Sequence, residues 1–226
     1  MRVTRREFIG CAAAAVPLRW QLGRRAPAGA VTTRWSLLDL GRHCSLGESL
    51  SGYAAALGTR VLRSDASSLP RCEALIVPGA VRIPPAAIDA ITTCLGEGCR
   101  VILESGAGFA NEADFAAHRA VLREALAVMV EPFVDLWPQA HGSAIPYVDF
   151  TWPVRTKVRD FSRVVPLACG AGEIIAHVNG QPVALKRRSG RGTLIFLGSP
   201  LGPALWAGDI EAKRWLKIAL RLNAQR

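Results

Sequence analysis

The sequence predicts an α/β domain, a three-layer sandwich with a mainly parallel central sheet, on three observations. Short apolar runs alternate with stretches of helical periodicity through the first half of the chain. Two of those runs, Ala74-Leu75-Ile76-Val77 and Val101-Ile102-Leu103, are apolar throughout and stop near Pro78-Gly79 and Ser105-Gly106, the pattern of strands buried on both faces. A tight turn at Asn179-Gly180 then points to an antiparallel extension near residues 174–197.

Taken in order, Trp35 to Leu40 is a short apolar strand that ends at Gly41. Ser45 with Glu48 three residues on forms a capping box, and Leu46, Leu50, Tyr53, Ala54 and Leu57 recur at helical spacing behind it. Residues 60–63 are a weak second strand. Pro84 and Pro85 suit a helix's first turn, Ile88, Ile91 and Leu95 give it one face, and Gly96 and Gly98 end it. After the strand at residues 100–104, Asp114 caps a helix whose Phe115, Leu122 and Leu126 point inward. From Val128 to Cys169 prolines interrupt any period, and loops and strands are expected there. Ile174 to Val178, Pro182 to Lys186 and Thr193 to Leu197 form a meander, and Asp209 caps a last helix with Ala212, Trp215, Leu216 and Ala219 on its core face.

With 226 residues, 50% of them hydrophobic and 20% charged, the chain is excluded from the disordered class and suits one core. Its formal charge of +10 is unevenly placed: residues 1–28 hold six Arg and one Glu, which is half of the excess. No nucleic-acid-binding motif accompanies the rest, so no nucleic-acid partner is expected, and the basic cluster Lys186, Arg187, Arg188 and Arg191 reads as a solvated hairpin. The opening Thr4-Arg5-Arg6-Glu7-Phe8-Ile9-Gly10 resembles a twin-arginine export signal. Behind it the apolar run from Phe8 to Leu18 is far short of the ~20 residues a spanning helix requires. Residues 1–28 are therefore expected to be a cleaved leader, with cleavage after Ala28 or Ala30, and residues 31–226 the mature domain. The implied location is periplasmic or extracellular, with membrane contact only during export. Cys44, Cys72, Cys94, Cys99 and Cys169 remain in that domain; an odd number leaves one thiol over, and Cys94 and Cys99 flank a turn across which they can meet. No Cys/His spacing of a metal site occurs, and neither a metal nor another cofactor is expected.

Three stretches carry a family resemblance: residues 72–80 (Cys-Glu-Ala-Leu-Ile-Val-Pro-Gly-Ala), residues 98–106 (Gly-Cys-Arg-Val-Ile-Leu-Glu-Ser-Gly) and residues 190–198 (Gly-Arg-Gly-Thr-Leu-Ile-Phe-Leu-Gly). They resemble the class I glutamine amidotransferase-like, flavodoxin-like domains, and the order of segments follows that family from about Trp35 to Leu222. The resemblance implies an oxyanion turn at Pro78-Gly79, where Ala80 replaces the family's second Gly. It implies a nucleophile elbow after the strand at 100–104, where Ser105 stands in place of the family's Cys. It implies a His and a Glu after the late strand, where this chain has Gly198-Ser199-Pro200. A thiol nucleophile works because an imidazole draws off its proton, and neither group occupies its matching position. The expectation is a non-catalytic, glutaminase-inactive domain that binds a small molecule, a glycan or an envelope protein. Ligands of open parallel sheets sit beyond the carboxyl ends of the strands, so Gly79, Glu104, Ser105, Gly106 and Ser199 are the expected binding residues.

Two sharper alternatives rest on the same loops. Ser105 is a candidate hydrolase nucleophile, with a base from His43, His118, His141 or His177. Asp39, His43 and Glu104 are a conceivable metal set with no supporting spacing. Trp137, Trp152 and Trp206 offer indole faces suited either to sugar stacking or to core packing.

Overall fold

The computed structural model describes residues 33–136, 146–159, 163–168, 170 and 172–221. Residues 1–28, expected to be a leader, and Trp137, His141 and Cys169 lie outside the described residues. Apolar β-branched and Leu-rich segments build the centre of a nine-stranded sheet: β1 (Thr33–Leu38), β2 (Val61–Ser64), β3 (Cys72–Val77), β4 (Arg100–Glu104) and, much later in the chain, β11 (Gly192–Leu197). These five run parallel in the order β2-β1-β3-β4-β11. The order reverses between β1 and β3, which makes the carboxyl ends of those two strands the topological switch point.

Two further pieces, β5 (Val134–Asp135) and β8 (Arg163–Val164), pair with each other outside the main sheet. The main sheet continues antiparallel through β10 (Gln181–Ser189), β9 (Glu173–Val178), β6 (Tyr147–Phe150) and β7 (Thr156–Arg159). The extension is thus larger than the Asn179-Gly180 hairpin predicts, and its boundary differs. Residues 192–197 belong to the parallel core, because Leu194, Ile195 and Phe196 lie in parallel register with Val101, Ile102 and Leu103. Asn179 and Gly180 both take positive φ, as a two-residue hairpin turn demands.

Side chains alternate across the sheet into two apolar clusters. Leu37, Ile76, Ile102 and Ile195 pack with α1 (Gly47–Leu57), α4 (Gly202–Trp206) and α5 (Ile210–Arg221), where Trp215 is fully buried. Leu38, Leu75, Val101, Leu103 and Phe196 pack with α2 (Pro85–Glu97) and α3 (Glu112–Leu126). A strand whose successive residues enter opposite cores must be apolar throughout, which is why β3 and β4 show no polar alternation.

Helix ends depart from the sequence reading in two places. Leu46 is the N-cap of α1 and no side chain caps it; the Ser45 backbone bridges Ala80, and its hydroxyl donates back to the Gly41 carbonyl at 3.4 Å instead of forming a capping box. Asn111, not Asp114, caps α3, its side chain accepting from the Asp114 amide at 2.9 Å. Asp209 caps α5 as predicted, accepting from the Ala212 amide at 3.0 Å. The basic hairpin cluster is partly consumed by helix C-termini: Arg187 donates to the carbonyls of Leu126 and Ala127, and Arg191 to Gly96 at 2.7 Å. Cations there satisfy orphan carbonyls and meet the negative end of the helix dipole. Among the described residues no helix is long and apolar enough to cross a membrane.

Candidate functional site

The carboxyl ends of β3, β4 and β11 meet at Glu104. Pro78 stops β3, and Gly79 turns with φ +50°, where any Cβ would lie 2.8 Å from both Leu46 and Ser49. The Gly79 amide donates to Glu104 Oε2 at 2.7 Å, and the Ala80 amide donates to the Glu104 carbonyl at 2.7 Å. From the far side of the sheet's edge the Gly202 amide, an orphan donor in the first turn of α4, donates to Oε1 at 2.6 Å. Tyr53 of α1 donates a longer bond of 3.4 Å to the same oxygen. Glu104 is fully buried, and burial pushes its carboxyl up to about 7 against the amides of Gly202 and Gly79, which favour the carboxylate.

The next residue turns the other way. Its amide bonds the Leu197 carbonyl at 2.8 Å, extending the β4–β11 ladder by one residue, and Ser105 Oγ lies 2.9 Å from His118 Nε2 on α3. Both side chains are buried, and His118 sits against the Phe109 ring, with centroids 5.1 Å apart. Burial draws its imidazole down to about 4, so it is neutral at pH 7. Among the described residues Nδ1 has no hydrogen-bond partner, so none of their carboxylates orients the ring. Gly106 follows with φ +118°, and a Cβ there would stand 2.3 Å from the Gly198 carbonyl.

The structure therefore brings Gly79, Glu104, Ser105 and Gly106 together with the Gly198-Ser199 turn at one edge of the sheet, and all of them are buried. Of the histidines weighed as bases, His118 reaches Ser105; His43 lies in an exposed turn after β1, and His177 pairs with Asp149 and Pro182 in the extension. Asp39 is held by Arg63 and by the Gly41 amide, and it forms no ligand set with His43 and Glu104 among the described residues. Trp152 is a packing residue: it meets Trp215 edge-on and its carbonyl accepts from the Trp215 indole at 2.8 Å. Trp206, at the end of α4, is 61% exposed, with Ile210 beyond it at 79%.

The fold recurs inside much larger enzymes. A β-galactosidase from Bacillus circulans sp. alkalophilus superposes with a TM-score of 0.61 at 13% identity, over 85% of this chain and 31% of that one. The cold-adapted β-galactosidase from Rahnella sp. R3 gives 0.61 and 13% over 87% of this chain and 32% of that one. A cytoplasmic protein from Salmonella typhimurium LT2 gives 0.55 and 14%, over 84% of this chain and 98% of that one. The chain thus spans about a third of the length of the two glycosidases and nearly all of the Salmonella protein. At these identities the likeness shows the fold alone. No protein-family model and no curated protein matches the chain.

Sequence reasoning missed one constellation. Cys72 opens β3, Cys94 lies in the last turn of α2 and Cys99 precedes β4, and their three sulfurs come within 4.8 Å of one another at the end of the sheet away from Glu104. The sequence signal available was that Cys72 and Cys99 stand at the starts of two continuously apolar strands; the structure pairs Ala74 with Arg100 and so sets those starts side by side.

Proposed function

We propose that the chain is exported by the twin-arginine route and that its mature part is a class I glutamine amidotransferase-like three-layer sandwich without catalysis, acting as a binding domain in the cell envelope. One observation carries the non-catalytic reading. The two amides that the family resemblance assigns to an oxyanion, Gly79 and Ala80, are both taken by Glu104, one by its side chain and one by its carbonyl. An oxyanion hole requires free donors aimed at the reacting oxygen, and these donors are engaged. The chemistry positions have become a brace between β3, β4 and α4.

A glycan-related role is supported by the neighbours: the fold occurs within two β-galactosidases and within an exo-β-1,4-mannosidase from the Opitutaceae bacterium strain TAV5, whose TM-score is 0.57. With Gly79, Glu104, Ser105, Gly106 and Ser199 buried, we place the contact surface on the neighbouring helix layer, at Trp206 and Ile210, where α4 ends and α5 begins. An exposed indole stacks on the apolar face of a sugar ring. Immobilised oligosaccharides carrying β-galactosyl or β-mannosyl units should retain the purified domain and release Trp206→Ala; equal retention of both would remove the surface from the proposal. Replacing Arg5 and Arg6 by Lys should hold a tagged chain in the cytoplasm, and undiminished export would defeat the leader reading.

The second reading, a serine hydrolase, is favoured by the 2.9 Å approach of Ser105 to His118. It lacks an orienting acid and an open route to the hydroxyl. A fluorophosphonate probe that labels the wild-type domain and spares Ser105→Ala would establish it and overturn the binding-domain proposal.

A further inference from the structure

The cysteine trio is independent of the Glu104 edge and of the function proposed for it. Cys72, Cys94 and Cys99 are each at least nine-tenths buried, with exposures of 4%, 6% and 5%. Cys94 and Cys99 meet across the turn that ends α2, whereas Cys72, in β3, is brought to them by the tertiary fold. None is joined in a disulfide; Cys99 Sγ donates to the Cys72 carbonyl at 2.8 Å, and the Cys99 amide donates to the Cys94 carbonyl at 2.9 Å. Each of the three sulfurs lies within 4.8 Å of the other two. A metal–thiolate bond of about 2.3 Å places the corners of a trigonal complex about 4.0 Å apart. The observed spacing, within 4.8 Å, closes to that value by side-chain rotation of a fraction of an ångström per sulfur.

We propose that Cys72, Cys94 and Cys99 form a three-coordinate thiolate site for a soft, monovalent d10 cation of the Cu(I) class. The ligand set decides the class. Thiolates select soft ions, and carboxylate-loving Mg²⁺ and Ca²⁺ are excluded by the absence of oxygen ligands in the trio. Zn²⁺ prefers four tetrahedral ligands, and among the described residues the set stops at three. Binding replaces protons: each sulfur that ligates gives up its hydrogen to solvent, and one cation with three thiolates carries two negative charges. Arg71, which acts electrostatically on Cys99, offsets part of that charge.

The experiment uses the full chain with the three other thiols removed (Cys11→Ser, Cys44→Ser and Cys169→Ser), reduced and handled without oxygen. Cu(I) is titrated against a chromogenic Cu(I) chelator. One equivalent should be withheld from the chelator, with X-ray absorption showing a shell of three sulfurs and no oxygen. Adding Cys94→Ala, a substitution a helix tolerates, should weaken retention at least tenfold while far-UV circular dichroism stays unchanged; adding Cys72→Ser should do the same. Three outcomes overturn the site: no retention by the folded, fully reduced protein; retention that survives Cys94→Ala; or thiol titration showing that two of the trio are joined as a disulfide in the purified protein.

Discussion

Glu104 and Gly202 stand 98 residues apart in sequence and 2.6 Å apart in space, a carboxylate oxygen receiving the amide at the start of α4. That contact ties the late return of the chain to the end of β4. The same carboxylate holds the Gly79 turn, so three loops that connect parallel strands to helices converge on one side chain. Removing it leaves two buried amides without acceptors. Each such loss costs about 1–3 kcal/mol, and Glu104→Ala should lower the unfolding free energy in urea by about 3 kcal/mol or more. A loss of under ~1 kcal/mol would show that water replaces the carboxylate and that the brace is not structural.

The two perturbed groups, Glu104 and His118, predict opposing pH dependences. Glu104 titrates at about 7 in the fold and near 4.5 when free, so between these values the fold holds a proton that the unfolded chain has released, and stability falls as pH rises. His118 titrates at about 4 in the fold and near 6.5 when free, so between these values the unfolded chain takes up a proton that the fold refuses, and stability rises with pH. Each window amounts to about 3 kcal/mol at 1.36 kcal/mol per unit. The two largely cancel between pH 4.5 and 6.5. In His118→Gln only the Glu104 slope survives. The wild-type minus variant stability, to which all other groups contribute equally, should therefore climb with pH between 4 and 6.5 and level off above. A flat difference in urea melts across that range would mean that His118 is solvated.

Ser105 has no room beyond its hydrogen bond to His118, being completely enclosed. Ser105→Trp should fail to fold, with loss of near-UV circular dichroism and recovery only as aggregate, because overpacking a rigid turn against Gly198 and α3 exceeds what a marginal fold tolerates. Ser105→Ala should remain folded and lose about 1 kcal/mol, the value of one buried hydrogen bond whose other partner stays dry. A folded, soluble Ser105→Trp protein would instead reveal an accessible cleft at this edge.

Much of this architecture was legible in the sequence, and the failures have physical causes. β3 and β4 were readable because a strand buried on both faces must be continuously apolar, and Pro78-Gly79 ended the first of them visibly. Leu194, Ile195 and Phe196 gave the same signal, yet the preceding hairpin drew the segment into the antiparallel extension; only the pairing with β4, invisible to local patterning, assigns it to the parallel core. The Ser45–Glu48 spacing fits a capping box, but Ser45 is engaged in a bridge to Ala80, a tertiary contact that overrides the local motif. At the site, the loops were placed by topology alone, whereas the inward turn of Glu104 was not, since a carboxylate after an apolar strand reads equally as solvent-facing. The cysteine trio escaped as a set because β3 and α2 separate Cys72 from the Cys94–Cys99 pair, and spacing rules for metal sites address ligands close in sequence.

The packing of α1 on α4 yields a final prediction in which two rules conflict. Gly52 lies mid-helix, where Gly→Ala normally stabilises by about 1 kcal/mol through helix propensity. Here an added Cβ would stand 2.0 Å from the Gly202 carbonyl oxygen and 3.0 Å from the Trp206 amide nitrogen. Both obstacles are backbone and cannot rotate aside. To relieve the contact α4 must withdraw, and withdrawal pulls the Gly202 amide from Glu104, so the clash and the lost buried bond act together. Gly52→Ala should therefore destabilise by about 2 kcal/mol or more, reversing the sign that propensity predicts. Gly96 in α2 supplies the control: it is exposed and nothing lies within 4 Å of its added Cβ. Gly96→Ala should stabilise by about 0.5–1 kcal/mol. Paired urea melts of the two variants separate the effects, and a stabilised Gly52→Ala protein would mean that α1 and α4 are not in close contact and that the Glu104 brace is looser than 2.6 Å.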